Sequence, residues 1–192
     1  LVTAVLARLF TPEEFGVVNI ATVIIAFFAI FSDLGIGPAV IQHRNLSRRD
    51  LDGIFSLTLW SAAVIALLFF AASGLIASFY DDSAQLRDIC RILALNLFFA
   101  TANIVPNALV MRDKRFRFAA VRSLAVQVVG GAAGIAAAYA GAGIYALTIN
   151  PVFSSLMLFA INYREYPLRI RLRPSRGAIR KVFSFSAYQF SF

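Results

Sequence analysis

The chain is poor in the residues that most enzyme chemistry depends on. One cysteine, Cys90, stands among 192 residues, which excludes a disulfide framework and most cysteine-based metal sites. One histidine, His43, leaves little for metal binding or acid–base work. Charge is scarce too: 15% of residues are charged, against about a quarter in a soluble domain. The opening stretch also lacks the basic segment and small-residue cleavage site of a signal peptide.

In their place are long apolar runs. Hydrophobic residues make up 60% of the chain and the mean hydropathy is +0.77. Residues 53–80, 92–111 and 123–163 carry no charge at all. A helix crossing about 30 Å of hydrocarbon needs about 20 such residues, and these runs far exceed a buried strand. The expected fold is therefore an all-α integral membrane protein, a polytopic helical bundle.

Five complete spans are expected, at about 15–41, 53–80, 86–111, 118–140 and 144–163, with partial ones at 1–10 and 179–192. The chain opens on Leu1 inside one apolar stretch and closes inside another, so it is expected to be a fragment. Gly141-Ala142-Gly143 reads as a tight turn. Tyr80, Tyr139, Tyr145, Tyr163 and Tyr166 fall at span ends, where amphipathic rings favour the headgroup layer.

Alternate connections are basic. They carry Arg44, Arg48 and Arg49; then Arg112, Lys114, Arg115 and Arg117; then seven basic residues between Arg164 and Lys181. The opposite connections carry Glu13, Glu14, Asp81 and Asp82, with Arg8, Arg87 and Arg91 nearby. Basic loops mark the cytoplasmic side, so the +8 net charge sets topology and is not a nucleic-acid footprint. The alternating Leu168-Arg169-Ile170-Arg171-Leu172-Arg173, between Pro167 and Pro174, reads as inner-face charge or as a strip facing lipid phosphates. Ser175 is placed to cap a helix entering the last span.

Several motifs have a plain structural reading beside a functional one. Asp50-Leu51-Asp52 has the form of a sugar-nucleotide transferase metal motif, but Ser47 and Asp50 stand at capping-box spacing and a helix cap is expected. Arg8 and Arg122 lie near span ends and are expected to snorkel. Gly130, Gly134, Ala137 and Gly141 form a small-residue face suited to close helix packing. Asp33 lies well inside a span, where a carboxylate costs about 2.5–3.5 kcal/mol; a structural and a transport role both stand open. Gly35, Gly37 and Pro38 follow it and weaken the helix, and Pro151 after Asn150 should kink another; these four are hinge candidates.

The fullest constellation is Asn96, Asn103 and Asn107. At about 100° per residue these positions fall within about 40° of one another. Three carboxamides on one face imply interhelical hydrogen bonds or a wet cavity wall, and Gln127 from the next span is placed to join them. Carboxamides donate and accept at once, which suits sugar hydroxyls. Asp33, Asn96, Asn103, Asn107 and Gln127 are the substrate-path candidates. No metal or cofactor is expected.

Two segments carry a family resemblance. Ala7-Arg8-Leu9-Phe10-Thr11-Pro12-Glu13-Glu14-Phe15-Gly16 joins the first two spans, and Phe31-Ser32-Asp33-Leu34-Gly35-Ile36-Gly37-Pro38-Ala39-Val40-Ile41-Gln42 closes the second. With Val105-Pro106-Asn107-Ala108-Leu109 and the basic residues after it, the chain resembles the polysaccharide-transport, Wzx-type branch of the multidrug/oligosaccharidyl-lipid/polysaccharide exporter superfamily. The resemblance implies a bacterial inner-membrane flippase for oligosaccharide on undecaprenyl diphosphate, built as two six-helix lobes working by alternating access. This chain would be the N-terminal lobe plus the start of span seven. Its partners would be the lipid-linked oligosaccharide, membrane lipids and, as further candidates, polysaccharide assembly proteins. No residue is assigned to the diphosphate. An ion-coupled antiporter of the same superfamily, with Asp33 as coupling carboxylate, is the nearest rival. A membrane-embedded polymerase or ligase fits less well, because the outer connections are only a few residues long.

Overall fold

The computed structural model describes residues 11–33, 35–43, 45–80 and 84–170. The expected partial spans, Arg8, Asp81, Asp82 and Ser175 lie outside these residues. Among the described residues seven α-helices follow one another: α1 (Pro12–Asp33), α2 (Ile36–Gln42), α3 (Arg48–Ser78), α4 (Ala84–Ala102), α5 (Ile104–Arg112), α6 (Phe116–Tyr139) and α7 (Ala146–Glu165). A 3-10 turn, Gly143–Tyr145, leads into α7. No strand occurs among the described residues.

Local chemistry explains where these helices start. Thr11 Oγ1 accepts from the Glu14 N–H while the Glu14 carboxylate accepts from the Thr11 N–H at 2.8 Å, with Pro12 as the first helical residue. Ser47 and Asp50 form the same reciprocal box before α3, as their spacing predicts. Two expected single spans are interrupted. Gly35 adopts φ +71 between α1 and α2, a left-handed conformation that costs L side chains roughly 1–2 kcal/mol. Pro106 lacks the N–H that the Ala102 carbonyl would bind, and the helix pauses at Asn103 between α4 and α5. Pro151, by contrast, stays inside α7.

Central α4 packs on α3, α7 and α1; α6 packs on α7, and short α2 packs on α5. The buried residues form two cores stacked along the bundle. One joins Phe69, Leu86, Ile89, Leu93, Leu97 and Ile144. The other, at the basic end, joins Ile36, Val40, Phe55, Val105, Leu109 and Leu168. The bundle's outside is apolar too: Leu67 is 66% exposed, Leu124 68% and Val23 69%. A soluble protein rarely exposes a continuous apolar surface of this kind. Five helical stretches among the described residues, including Arg48–Ser78, Ala84–Arg112 and Phe116–Tyr139, are long and apolar enough to cross a membrane. The molecule is a multi-pass helical membrane protein.

Gly130 and Gly134 pack against α7 as expected, whereas Gly141 lies past the end of α6, at φ +84, with open space around it. A Cβ on Gly130 would lie 2.5 Å from Ser154 Oγ and 2.7 Å from Asn150 Oδ1 on α7. The tyrosines divide. Tyr139 is 74% exposed and Tyr80 48%, as suits a headgroup layer. Tyr163 instead packs its ring on Phe159 at 5.7 Å, and the Tyr166 hydroxyl donates to Asp113 Oδ2 at 2.6 Å. Burial, then this hydrogen bond, raises the Tyr166 pKa. Beside it Arg115 pairs with Glu165, and that hydrogen bond holds the guanidinium pKa above its ordinary value. These contacts clasp the α5–α6 connection to the end of α7.

Candidate functional site: a polar ring at the helix break

The α4–α5 break presents Asn103 and Asn107 one turn apart, both half-buried. Asn103 keeps helical bonding through the pause: its N–H donates to the Phe99 carbonyl at 3.0 Å and its own carbonyl accepts from Asn107 at 2.9 Å. Their side chains meet two residues from other helices. Asn162 of α7 is fully buried and donates through Nδ2 to Asn103 Oδ1 at 2.7 Å. Arg122 of α6 is 6% exposed. Its guanidinium donates to Asn162 Oδ1 and, at 3.1 Å, to Asn107 Oδ1. The four side chains thus bridge α4–α5, α6 and α7 in one ring. Phe118 lies under the guanidinium, its ring centroid 5.8 Å away, and Phe99, Phe159 and Tyr163 stack alongside.

Three carboxamides and one guanidinium leave the ring with a positive charge and no carboxylate. A buried cation costs several kcal/mol unless it is paired and hydrogen-bonded. Two carboxamide oxygens satisfy part of that demand, while Arg122 Nε is buried without a hydrogen-bond partner. The ring can therefore hold neighbouring helices in register and offer positive potential and amide groups to a polar ligand. No cluster of His, Cys, Asp or Glu suited to a metal occurs among the described residues.

The sequence-predicted residues fare differently. Asn103 and Asn107 come together on one face and engage other helices. Asn96 is half-buried on the same helix and has no side-chain hydrogen bond among the described residues. It stands seven residues from Asn103, roughly 10 Å along the axis. Gln127 does not join the asparagines: it is exposed, five residues past Arg122 on another face of α6. Arg122 corrects the snorkelling expectation, since its head turns inward to Asn162 and Asn107 and not along the helix to water. Asp33 closes α1, and its side chain lies outside the described residues. Gly35 occupies the break, whereas Gly37 and Pro38 lie in the first turn of α2. Asn150, before Pro151, accepts a hydrogen bond from Ser154 at 3.1 Å.

Asn162 went unread in the sequence, although a carboxamide inside the uncharged run 123–163 is the same signal that marked the others. Asp52 also has a larger role than a cap residue. It is 7% exposed and accepts from the Arg169 N–H at 3.0 Å, tying the start of α3 to the segment after α7.

The profile of the polysaccharide biosynthesis protein family matches residues 5–192. The chain belongs to that family. Over 180 residues, 94% of its length, it is 27% identical to the succinoglycan biosynthesis transport protein ExoT of Rhizobium meliloti (strain 1021). It is 27% identical over 112 residues, 58% of its length, to the lipopolysaccharide biosynthesis protein WzxC of Escherichia coli (strain K12). A membrane protein in the cps region of Klebsiella pneumoniae is 28% identical over 83 residues, 43% of this chain and 16% of that protein. The chain spans 34% of ExoT and 23% of WzxC. No solved structure matches it. In this member of the polysaccharide biosynthesis protein family, the buried Asn–Arg ring sits at the α4–α5 helix break.

Proposed function

We propose that this chain is the N-terminal six-helix lobe, with the start of span seven, of an exporter in the bacterial inner membrane. The whole protein would move undecaprenyl-diphosphate-linked oligosaccharide outward by alternating access, for O-antigen, capsule or exopolysaccharide synthesis. The observation that carries this reading is the family match along residues 5–192, with one relative named as a succinoglycan biosynthesis transport protein and another as a lipopolysaccharide biosynthesis protein. The polar ring supports it physically. Interrupted helices with polar groups at depth recur at transporter binding sites, because freed backbone and side-chain groups there meet a cavity and not lipid. Asn96, Asn103 and Asn107 would line the substrate path, and Asp33 would support it from α1. Gly35 and Pro151 would serve as hinges. The reading makes the protein a carrier of its substrate and not an enzyme acting on it.

Complementation tests it. The full-length gene should restore surface polysaccharide to a flippase-deficient strain. Asn96→Leu is the cleanest variant, because no described hydrogen bond is lost with it. Export should fall while membrane protein level and thermal stability stay near wild type. Wild-type export from the Asn96/Asn103/Asn107 triple leucine variant would end the substrate-path assignment.

A further inference from the structure

At the basic end, two segments far apart in sequence enclose a cavity that none of the four ring residues lines. Arg48 and Arg49 stand in the first turn of α3, and Arg169 follows Pro167 beyond the end of α7. The backbone that carries Arg169 is pinned. Asp52 accepts its N–H at 3.0 Å, Leu168 beside it is 3% exposed within the basic-end core, and the Leu168 carbonyl accepts the Tyr163 hydroxyl at 3.1 Å. Arg48, Arg49, Arg169, Asp52 and Pro167 line a cavity of about 350 Å³.

Among the described residues that line it, three guanidinium groups and one carboxylate give a net charge of +2. Among the described residues, none of the three guanidinium groups has a hydrogen-bond or ion-pair partner. Asp52 Oδ1 is turned to the Arg169 backbone, so the carboxylate organises the wall. Simple inner-face charge needs only exposed basic side chains. A concavity with arginines fixed on two pinned segments adds geometry, and arginine forks match phosphate oxygens in pairs. The surroundings indicate which phosphate. Ile170, the residue after Arg169, is 58% exposed, an apolar side chain that suits contact with lipid. We infer that this cavity binds the phosphate of an anionic phospholipid headgroup. The inference does not depend on what the protein exports.

The test uses full-length protein in detergent, with thermal unfolding followed as phosphatidylglycerol or phosphatidylcholine is added. Phosphatidylglycerol should raise the midpoint by several degrees more than phosphatidylcholine. Arg48→Gln/Arg49→Gln/Arg169→Gln should lose most of that difference. Lys114→Gln/Arg117→Gln, which removes two cations from the same end outside this cavity, should keep it. All three arginines are exposed, so the lipid-free midpoint should hold; if it falls in the triple variant, Arg169→Gln alone should still halve the lipid response. An unchanged response in the triple variant overturns the site, and so does an equal loss in the Lys114/Arg117 variant, which would mean diffuse charge only. Inorganic phosphate giving the same shift would overturn the lipid assignment.

Discussion

Asn162 Nδ2 donates to Asn103 Oδ1 across 2.7 Å, which fastens α7 to the point where the α4–α5 helix pauses. The same Asn162 side chain takes a hydrogen bond from Arg122. One fully buried carboxamide therefore holds two otherwise costly groups in a medium with no water to replace it.

That arrangement predicts strong non-additivity. Asn162→Leu should lose about 0.6 kcal/mol for an ordinary intramembrane hydrogen bond, plus roughly 1–3 kcal/mol for polar groups left buried without a partner. Removing the charge as well, in Asn162→Leu/Arg122→Met, should recover part of the loss, because an absent cation needs no partner. Thermal unfolding of the four members of this cycle in detergent measures the coupling. Additive losses would mean that Arg122 and Asn162 do not support each other.

The α6–α7 contact predicts a difference between two glycines one turn apart. Gly130→Ala would set a methyl 2.5 Å from Ser154 Oγ and 2.7 Å from Asn150 Oδ1. Ser154 would have to leave Asn150, and overpacking of this kind costs about 1–3 kcal/mol. Gly134→Ala would meet its nearest neighbours at 3.5 Å, ordinary contact, and should be close to neutral. Unfolding midpoints of the two variants side by side decide the matter. Equal midpoints would show that the Ser154 and Asn150 side chains turn aside at little cost.

Topology can be checked chemically. In a Cys90→Ala background, a cysteine at exposed Ala140 should react with an impermeant thiol reagent added outside intact cells. One at exposed Asn45 should react only after the membrane is opened. The reverse pattern would overturn the orientation drawn from the basic and acidic loops.

Composition and period determined much of this protein. Uncharged runs longer than any strand had to become helices, since in hydrocarbon a helix satisfies its backbone within itself. The Ser47–Asp50 cap was legible as well, since it needs only neighbours three residues apart; the same spacing at Thr11 and Glu14 went unread. The asparagine face followed from the helical period. Only the tertiary structure decided what that face meets. Arg122 looked free to reach water because a single sequence shows its distance from a helix end but not the carboxamide standing beside it on another helix. Gln127 looked equally well placed, yet five residues of helix turn it to the outside. Asp52 likewise found its partner 117 residues away. Local rules reach about four residues along a helix. Beyond that, a polar group's partner is chosen by which helices pack together, and that choice is made by the apolar cores at either end of the bundle.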